Sequence, residues 1–210
     1  MHIQLQGETL WLDAGRALVW PAQSMVLVAD THFGKSAVFR RQGLAVPEGN
    51  DPDDLSRLSK LVQTHRARRL CILGDFVHGA LPHRHHFYTR FNQWRAGLEA
   101  DVDIVLGNHD RYLNTAILKN VHWHSRLHVG PFALVHDPED ATEGYYLCGH
   151  IHPVVKLVTR ADALRMPVFW QRRQGMVLPS FGSFTGGYVI ERHASERCYG
   201  VGPESVVALP

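Results

Sequence analysis

Residues 69–75 read RLCILGD, an apolar, β-prone run that stops at a glycine and an aspartate. A short, continuously apolar run of this kind fits a strand buried on both faces. The same design recurs outward from it: MVLVAD at 25–30, VDIVLGNHD at 102–110, FALVHD at 132–137 and YYLCGHIH at 145–152. Between MVLVAD and RLCILGD lies DPDDLSRLSKLVQTHRARR, where Leu55, Leu58, Leu61 and Val62 recur at helical spacing. Asp51 or Asp53 offers an N-cap there, and basic residues fill the last turn. Ahead of VDIVLGNHD, the segment RHHFYTRFNQWRAGLEA carries Phe87, Phe91, Trp94 and Leu98 along one helical stripe. The first half therefore predicts strand–helix–strand–helix–strand, an α/β pattern.

From FALVHD onward helical periodicity fades. Runs such as MVLPSFGSF (176–184) and GYVIER (187–192) suggest strands, and Gly182 and the Gly186-Gly187 pair mark turns or close backbone approach. An α/β half joined to a β-rich half predicts a four-layer α-β-β-α sandwich, two mixed sheets flanked by helices. No linker, repeat or low-complexity tract divides the chain, so a single domain over 1–210 is expected.

Composition narrows the class without naming a chemistry. With 45% hydrophobic and 20% charged residues the chain suits a soluble globular protein. It has no apolar run of about 18 residues, so no membrane helix is expected. Its N-terminal stretch lacks the basic start, apolar centre and small-residue site of a secretory signal. Cys71, Cys148 and Cys198 make a poor disulfide framework, and two of them sit in apolar runs. Buried thiols and a cytoplasmic location fit best. A net charge of +2 neither demands nor excludes nucleic acid. The unusual count is 15 histidines, several placed directly after a predicted strand.

In an open α/β sheet, ligands bind at the carboxyl ends of the strands. There this chain sets Asp30 and His32, Asp75, Asn108 and His109, His136, then His150 and His152. Carboxylate, imidazole and amide oxygen together suit a borderline-to-hard divalent ion such as manganese, iron, zinc or magnesium. The pairs in DTH (30–32) and HIH (150–152) stand at i and i+2, which on an extended segment point the same way. Gly74, Gly107 and Gly149 each precede a candidate ligand, as a tight strand-to-loop turn would require. Each element alone reads as a turn or cap residue; five in order do not.

In these motifs the chain resembles the calcineurin-like metallophosphoesterase superfamily: D30-T-H32, G74-D75-F-V-H78, G107-N108-H109-D110, a lone His136 and G149-H150-I-H152. The resemblance implies that Asp30, His32, Asp75 and His152 bind one metal ion, and Asp75, Asn108, His136 and His150 a second, with Asp75 as the bridge. It also implies that His109 protonates the leaving oxygen. Two ions about 3.5–4 Å apart can share a hydroxide nucleophile and clamp a phosphate, and Asp110 stands where it could hold the His109 ring. Phe76-Val77-His78 stands where many relatives have a carboxylate or asparagine-rich stretch. Within it, His78 is open to a supporting role, a phosphate contact or a plain surface role.

A narrower resemblance lies in VADTHFGKSAVFRRQGLAVPEG, GHIHPVV and LPSFGSFTGG (178–187), which are similar to the ligase-associated DNA damage response endonucleases, the PdeM family. It implies a manganese-dependent nuclease or phosphodiesterase, with iron or zinc as other candidates. DNA or another phosphodiester is the implied substrate, with a functional link to a repair ligase and helicase; monomer or dimer stays open. Lys35, Arg40, Arg41 and Arg111 could track a nucleic-acid backbone or simply form a solvated face. Phe33 and Phe39 suit core or stacking, and Arg160, Arg165, Arg172 and Arg173 near Trp170 could rim a phosphate site. The alternatives are a phosphodiesterase or phosphatase for nucleotides and other small phosphoesters, and a non-enzymatic scaffold.

Overall fold

The computed structural model describes residues 1–47, 51–158, 163–191 and 193–210. Seven strands form the first sheet in sequence order: β1 (His2–Leu5), β2 (Glu8–Asp13), β3 (Ala17–Trp20), β4 (Met25–Ala29), β5 (Arg69–Leu73), β6 (Asp101–Val105) and β7 (His122–His124). β1 to β4 pair antiparallel, and β4 to β7 pair parallel. The parallel half contains the anticipated strand–helix alternation. Helix α1 (Lys35–Arg41) and helix α2 (Asp51–Thr64) follow β4, and α3 (His86–Ala96) follows β5. Asp51 lies inside α2 and accepts from the Gly34 N–H at 3.1 Å, so it ties α1 to α2 instead of capping its own helix. The expected basic residues fall beyond the last turn of α2.

The second sheet holds β8 (Leu127–Val129), β9 (Phe132–Leu134), β10 (Tyr145–Cys148), β11 (Pro153–Val158), β12 (Ala163–Gln171), β13 (Gly175–Val177) and β14 (Tyr188–Val189), with β15 (Arg197–Val201) and β16 (Val206–Leu209) joined through β12. It is mixed as well: β9, β10 and β13 run parallel, whereas β11, β12 and β15 are antiparallel. MVLPSFGSF does not continue as a strand. It leaves the sheet after Val177 and becomes a loop.

Alternation along the strands sorts the core into layers. Met25, Leu27 and Ala29, with Cys71, Leu73 and Val105, face Leu134, Tyr145, Leu147, Phe169 and Met176 across the interior between the sheets. Val26, Val28, Leu70, Ile72, Val102 and Ile104 point the other way, against Leu55, Leu58 and Leu61 of α2 and Phe87 and Phe91 of α3. The outer cluster of the second sheet, from Val135 and Tyr146 to Trp170 and Ile190, consists of strand and loop residues. The two-sheet α/β sandwich is thus as expected, and the described helices that pack on a sheet, α2 and α3, do so on the first. Cys71 and Cys148 are fully buried, and burial pushes both thiols up. No described helix is long and apolar enough to cross a membrane.

Candidate metal centre

Where the parallel strands end, backbone pairing continues. The Asp30, His32 and Phe33 N–H groups donate to the carbonyls of Gly74, Asp75 and Phe76, at 3.2, 2.8 and 2.8 Å. The D30-T-H32 and G74-D75-F-V-H78 loops are therefore zipped side by side, and the Thr31 hydroxyl adds a bond to Phe76 O at 2.9 Å. These loops are not extended, contrary to the i and i+2 expectation. Asp30, His32, Asp75, His150 and His152 have φ of 54, 49, 46, 68 and 51°, all left-handed. Tight turns, not strand alternation, aim both members of each pair inward.

The cluster has two lobes. In the first, His32 Nε2 lies 3.2 Å from His152 Nε2, His152 Nε2 lies 3.3 Å from Asp30 Oδ1, and His32 Nε2 lies 3.7 Å from Asp75 Oδ2. One donor atom from each of Asp30, His32, Asp75 and His152 lies within 4.8 Å of all the others, and these four could hold an ion. In the second lobe, His136 Nε2 stands 3.0 Å from Asn108 Oδ1, 3.1 Å from His150 Nδ1 and 3.4 Å from Asp75 Oδ1. Asp75 turns one oxygen to each lobe.

The donor chemistry fits a cation in the first lobe. Ligands about 2.0–2.2 Å from a common ion stand roughly 3.0–3.6 Å from each other. Two imidazole nitrogens at 3.2 Å, bounded by carboxylate oxygens, are close to that spacing. Burial, reinforced by His152 and Lys35, lowers His32 to about 2, so the ring is neutral with a lone pair to give. In the second lobe His136 Nδ1–H donates to Leu73 O at 3.2 Å, which leaves Nε2 free to face inward. Asp30, wholly buried, accepts from the His150 N–H at 3.0 and 3.1 Å.

Two glycine positions exist because ligands pass so close. A Cβ on Gly149 would meet Asp30 Oδ2 at 2.5 Å, and one on Gly107 would meet Asp75 Oδ1 at 2.5 Å.

His109 stands at the mouth, its Nε2 3.9 Å from Asp75 Oδ2 and its Nδ1–H donating to His78 O at 2.8 Å. Asp110 does not hold this ring, contrary to the expectation. It is buried and accepts from the Phe76, Val77 and Gly107 N–H groups at 3.1, 2.9 and 2.9 Å, binding the GNHD loop to the GDFVH loop. Burial pushes it up to about 6 against those three bonds. It is a positioning residue.

His78 stacks on His109, centroids 4.9 Å apart, and its Nδ1 lies 3.2 Å from His32 Nδ1. With His32 Nε2 turned to the lobe, His32 Nδ1–H donates to His78. Burial and Lys35 lower His78 to about 4, which keeps it an acceptor.

The remaining expected residues divide. Lys35 opens α1 and is half-buried, its Nζ 5.6 Å from the Phe39 centroid. Arg111 lies over the Tyr112 ring. Arg40 and Arg41 donate to Pro47 O and Ala80 O at 3.0 and 2.9 Å. Phe33 is core, whereas Phe39 packs edge-on to His78. Arg172 lies over Trp170 beside Glu196, Arg165 donates to Gly187 O, and Arg160 lies outside the described residues.

Three supports escaped the sequence reading. Asp137 Oδ2 lies 3.4 Å from the outer His150 nitrogen, Nε2, a contact hinted at only by its place after His136. The Leu73 carbonyl orients His136. The S180-F-G-S183 loop docks under Asp30: the Ser180 hydroxyl and Gly182 N–H donate to Asp30 O at 3.0 and 3.2 Å, and Phe181 N–H to Ala29 O at 2.8 Å.

The family model for calcineurin-like phosphoesterases matches residues 24–182. Among solved structures, a nuclease from Pseudomonas putida is similar over the whole chain: 34% identity, TM-score 0.84, covering 100% of this chain and 99% of that one. Two others are far more distant. A protein of unknown function from Aquifex aeolicus is 18% identical with TM-score 0.42, covering 61% of this chain and 78% of that one. A predicted phosphoesterase from Streptococcus pneumoniae is 13% identical with TM-score 0.35, covering 85% and 82%. No match was found among curated proteins.

Proposed function

Because the chain belongs to the calcineurin-like phosphoesterase family and is a metal-dependent phosphoesterase, we propose that it cleaves phosphodiester bonds in DNA using two divalent ions, manganese foremost. The observation that carries this reading is the two-lobed donor set joined through Asp75, whose Oδ2 faces His32 and whose Oδ1 faces His136. Asp30, His32, Asp75 and His152 would hold one ion, and Asp75, Asn108, His136 and His150 the other. Such a pair supplies an acidified water and neutralises charge on phosphoryl oxygens.

The chain's own residues do the rest. With only Asp30 and Asp75 as carboxylates, the donor set would leave two bound divalent ions with excess positive charge, which would attract an anionic substrate. His109, its Nδ1–H fixed on His78 O, presents Nε2 to deliver a proton to the departing oxygen. His78 holds the His32 ring from behind. Similarity over the full chain to a nuclease supports a nucleic acid as substrate, and the LPSFGSFTGG resemblance supports DNA and a place in its repair.

The test is cleavage of single-stranded DNA, duplex DNA and a nucleotide monoester with manganese added. Cleavage of either DNA form, abolished in Asp75→Asn, is the expected result. Hydrolysis of the monoester with all DNA left intact would overturn the reading.

A further inference from the structure

His109 and the neighbouring Asn108 border a cavity of 460 Å³ that extends from the metal centre to Val38, Arg41, Arg111 and Tyr112, with no acidic side chain among the described residues of its wall. That volume falls in the range of small-molecule sites, about 300–1,000 Å³. Its outer wall is Tyr112, which ends the short 3-10 helix Asn108–Tyr112 and is 65% exposed. The Arg111 guanidinium lies 4.8 Å from the Tyr112 ring centroid. Arg41 reaches the same wall, anchored on Ala80 O.

An exposed aromatic ring in the same cavity as the proton donor, with one guanidinium over it and a second in the cavity wall, matches the way single nucleotides are held. Bases stack on exposed aromatic rings, and cationic side chains meet the adjoining phosphates. The cavity includes the residue that would protonate the leaving oxygen, so a leaving group held there would lie within reach of His109.

We propose that this cavity is a subsite for the leaving-group nucleoside, with Tyr112 as the platform on which its base stacks. Arg41 and Arg111 meet the next phosphate along the strand. The inference rests on the phosphodiester reading above and adds a recognition residue that metal chemistry does not require.

A dinucleoside monophosphate tests it, because it has a single diester. The comparison substrate lacks the base on the leaving side. In the wild type, removing that base is expected to lower kcat/KM about tenfold, through KM. In Tyr112→Ala the penalty for base removal shrinks to nearly none, while in Tyr112→Phe it stays about tenfold. Tyr112 is largely exposed, so these variants should fold, and circular dichroism checks that. An equal penalty in Tyr112→Ala and wild type, or none in the wild type, overturns the subsite while leaving the nuclease reading intact. A wild-type enzyme that cuts neither dinucleoside nor longer DNA overturns the nuclease reading itself, and the subsite with it.

Discussion

At the residue scale, the centre is held under strain. Five non-glycine ligand candidates adopt left-handed φ, a conformation that costs on the order of 1–3 kcal/mol at each position. The surrounding loop zipper and close glycine packing over-determine these turns. Gly149→Ala would push a methyl group into Asp30, and overpacking of this kind costs about 1–3 kcal/mol. The expected outcome is a lower Tm together with fewer bound ions by elemental analysis. A variant with wild-type metal content would show that Asp30 can shift freely. His109 makes a different prediction, since it lies at the mouth and not among the inward-facing donors. His109→Ala should lower kcat about 10²–10⁴-fold on a diester with a poor leaving group while leaving metal content unchanged. With an aryl leaving group that needs no proton, the loss should be far smaller. An equal loss on both would remove its role as the acid.

At the element scale, the C-terminal S180-F-G-S183 loop acts as a buttress for β4. Arg57 of α2 fastens it, donating to Asp54 Oδ1 at 2.7 Å and to Phe181 O at 3.0 Å while lying over the Phe181 ring. Arg57→Ala should therefore lower stability by about 1.5–3 kcal/mol, the range for a hydrogen bond to a charged group. Metal affinity should fall as well, because Asp30 O is what the loop holds. Urea unfolding with and without metal measures both, and an unchanged metal affinity would confine the loop to a packing role.

The parallel strands and their two helices were legible because RLCILGD and its counterparts carry an unambiguous apolar pattern, and the stripes of α2 and α3 are regular. The antiparallel strands β1 to β3 were not anticipated, since their pairing depends on the neighbouring β4 more than on any local signal. The SFGS loop carries a strand-like apolar pattern because its apolar residues are buried by tertiary docking and not by a β ladder. The ligand candidates were visible as residue types at strand ends. Their left-handed turns, and the true partners of Asp110, were not, because both depend on backbone groups from loops distant in sequence.

At the scale of the whole molecule, the centre lies where loops from both sheets meet: Asp30, Asp75 and Asn108 follow first-sheet strands, while His136, His150 and His152 follow second-sheet strands. Ion binding should therefore clamp the two sheets together. Chelator-treated protein is expected to unfold at lower temperature, and manganese at about 100 times its Kd to restore roughly 2.7 kcal/mol. A Tm indifferent to metal would mean that the lobes are not joined by the ions.

The central claim is that Asp75 divides one cluster into two ion sites. The most direct measurement is the number of manganese ions bound per chain, by equilibrium titration with elemental analysis, in the wild type, Asn108→Ala, His152→Ala and Asp75→Asn. Two per wild-type chain, one in each of the first two variants and loss of tight binding at both sites in Asp75→Asn is the predicted result. One ion per wild-type chain, with phosphodiester cleavage at full rate, would contradict it.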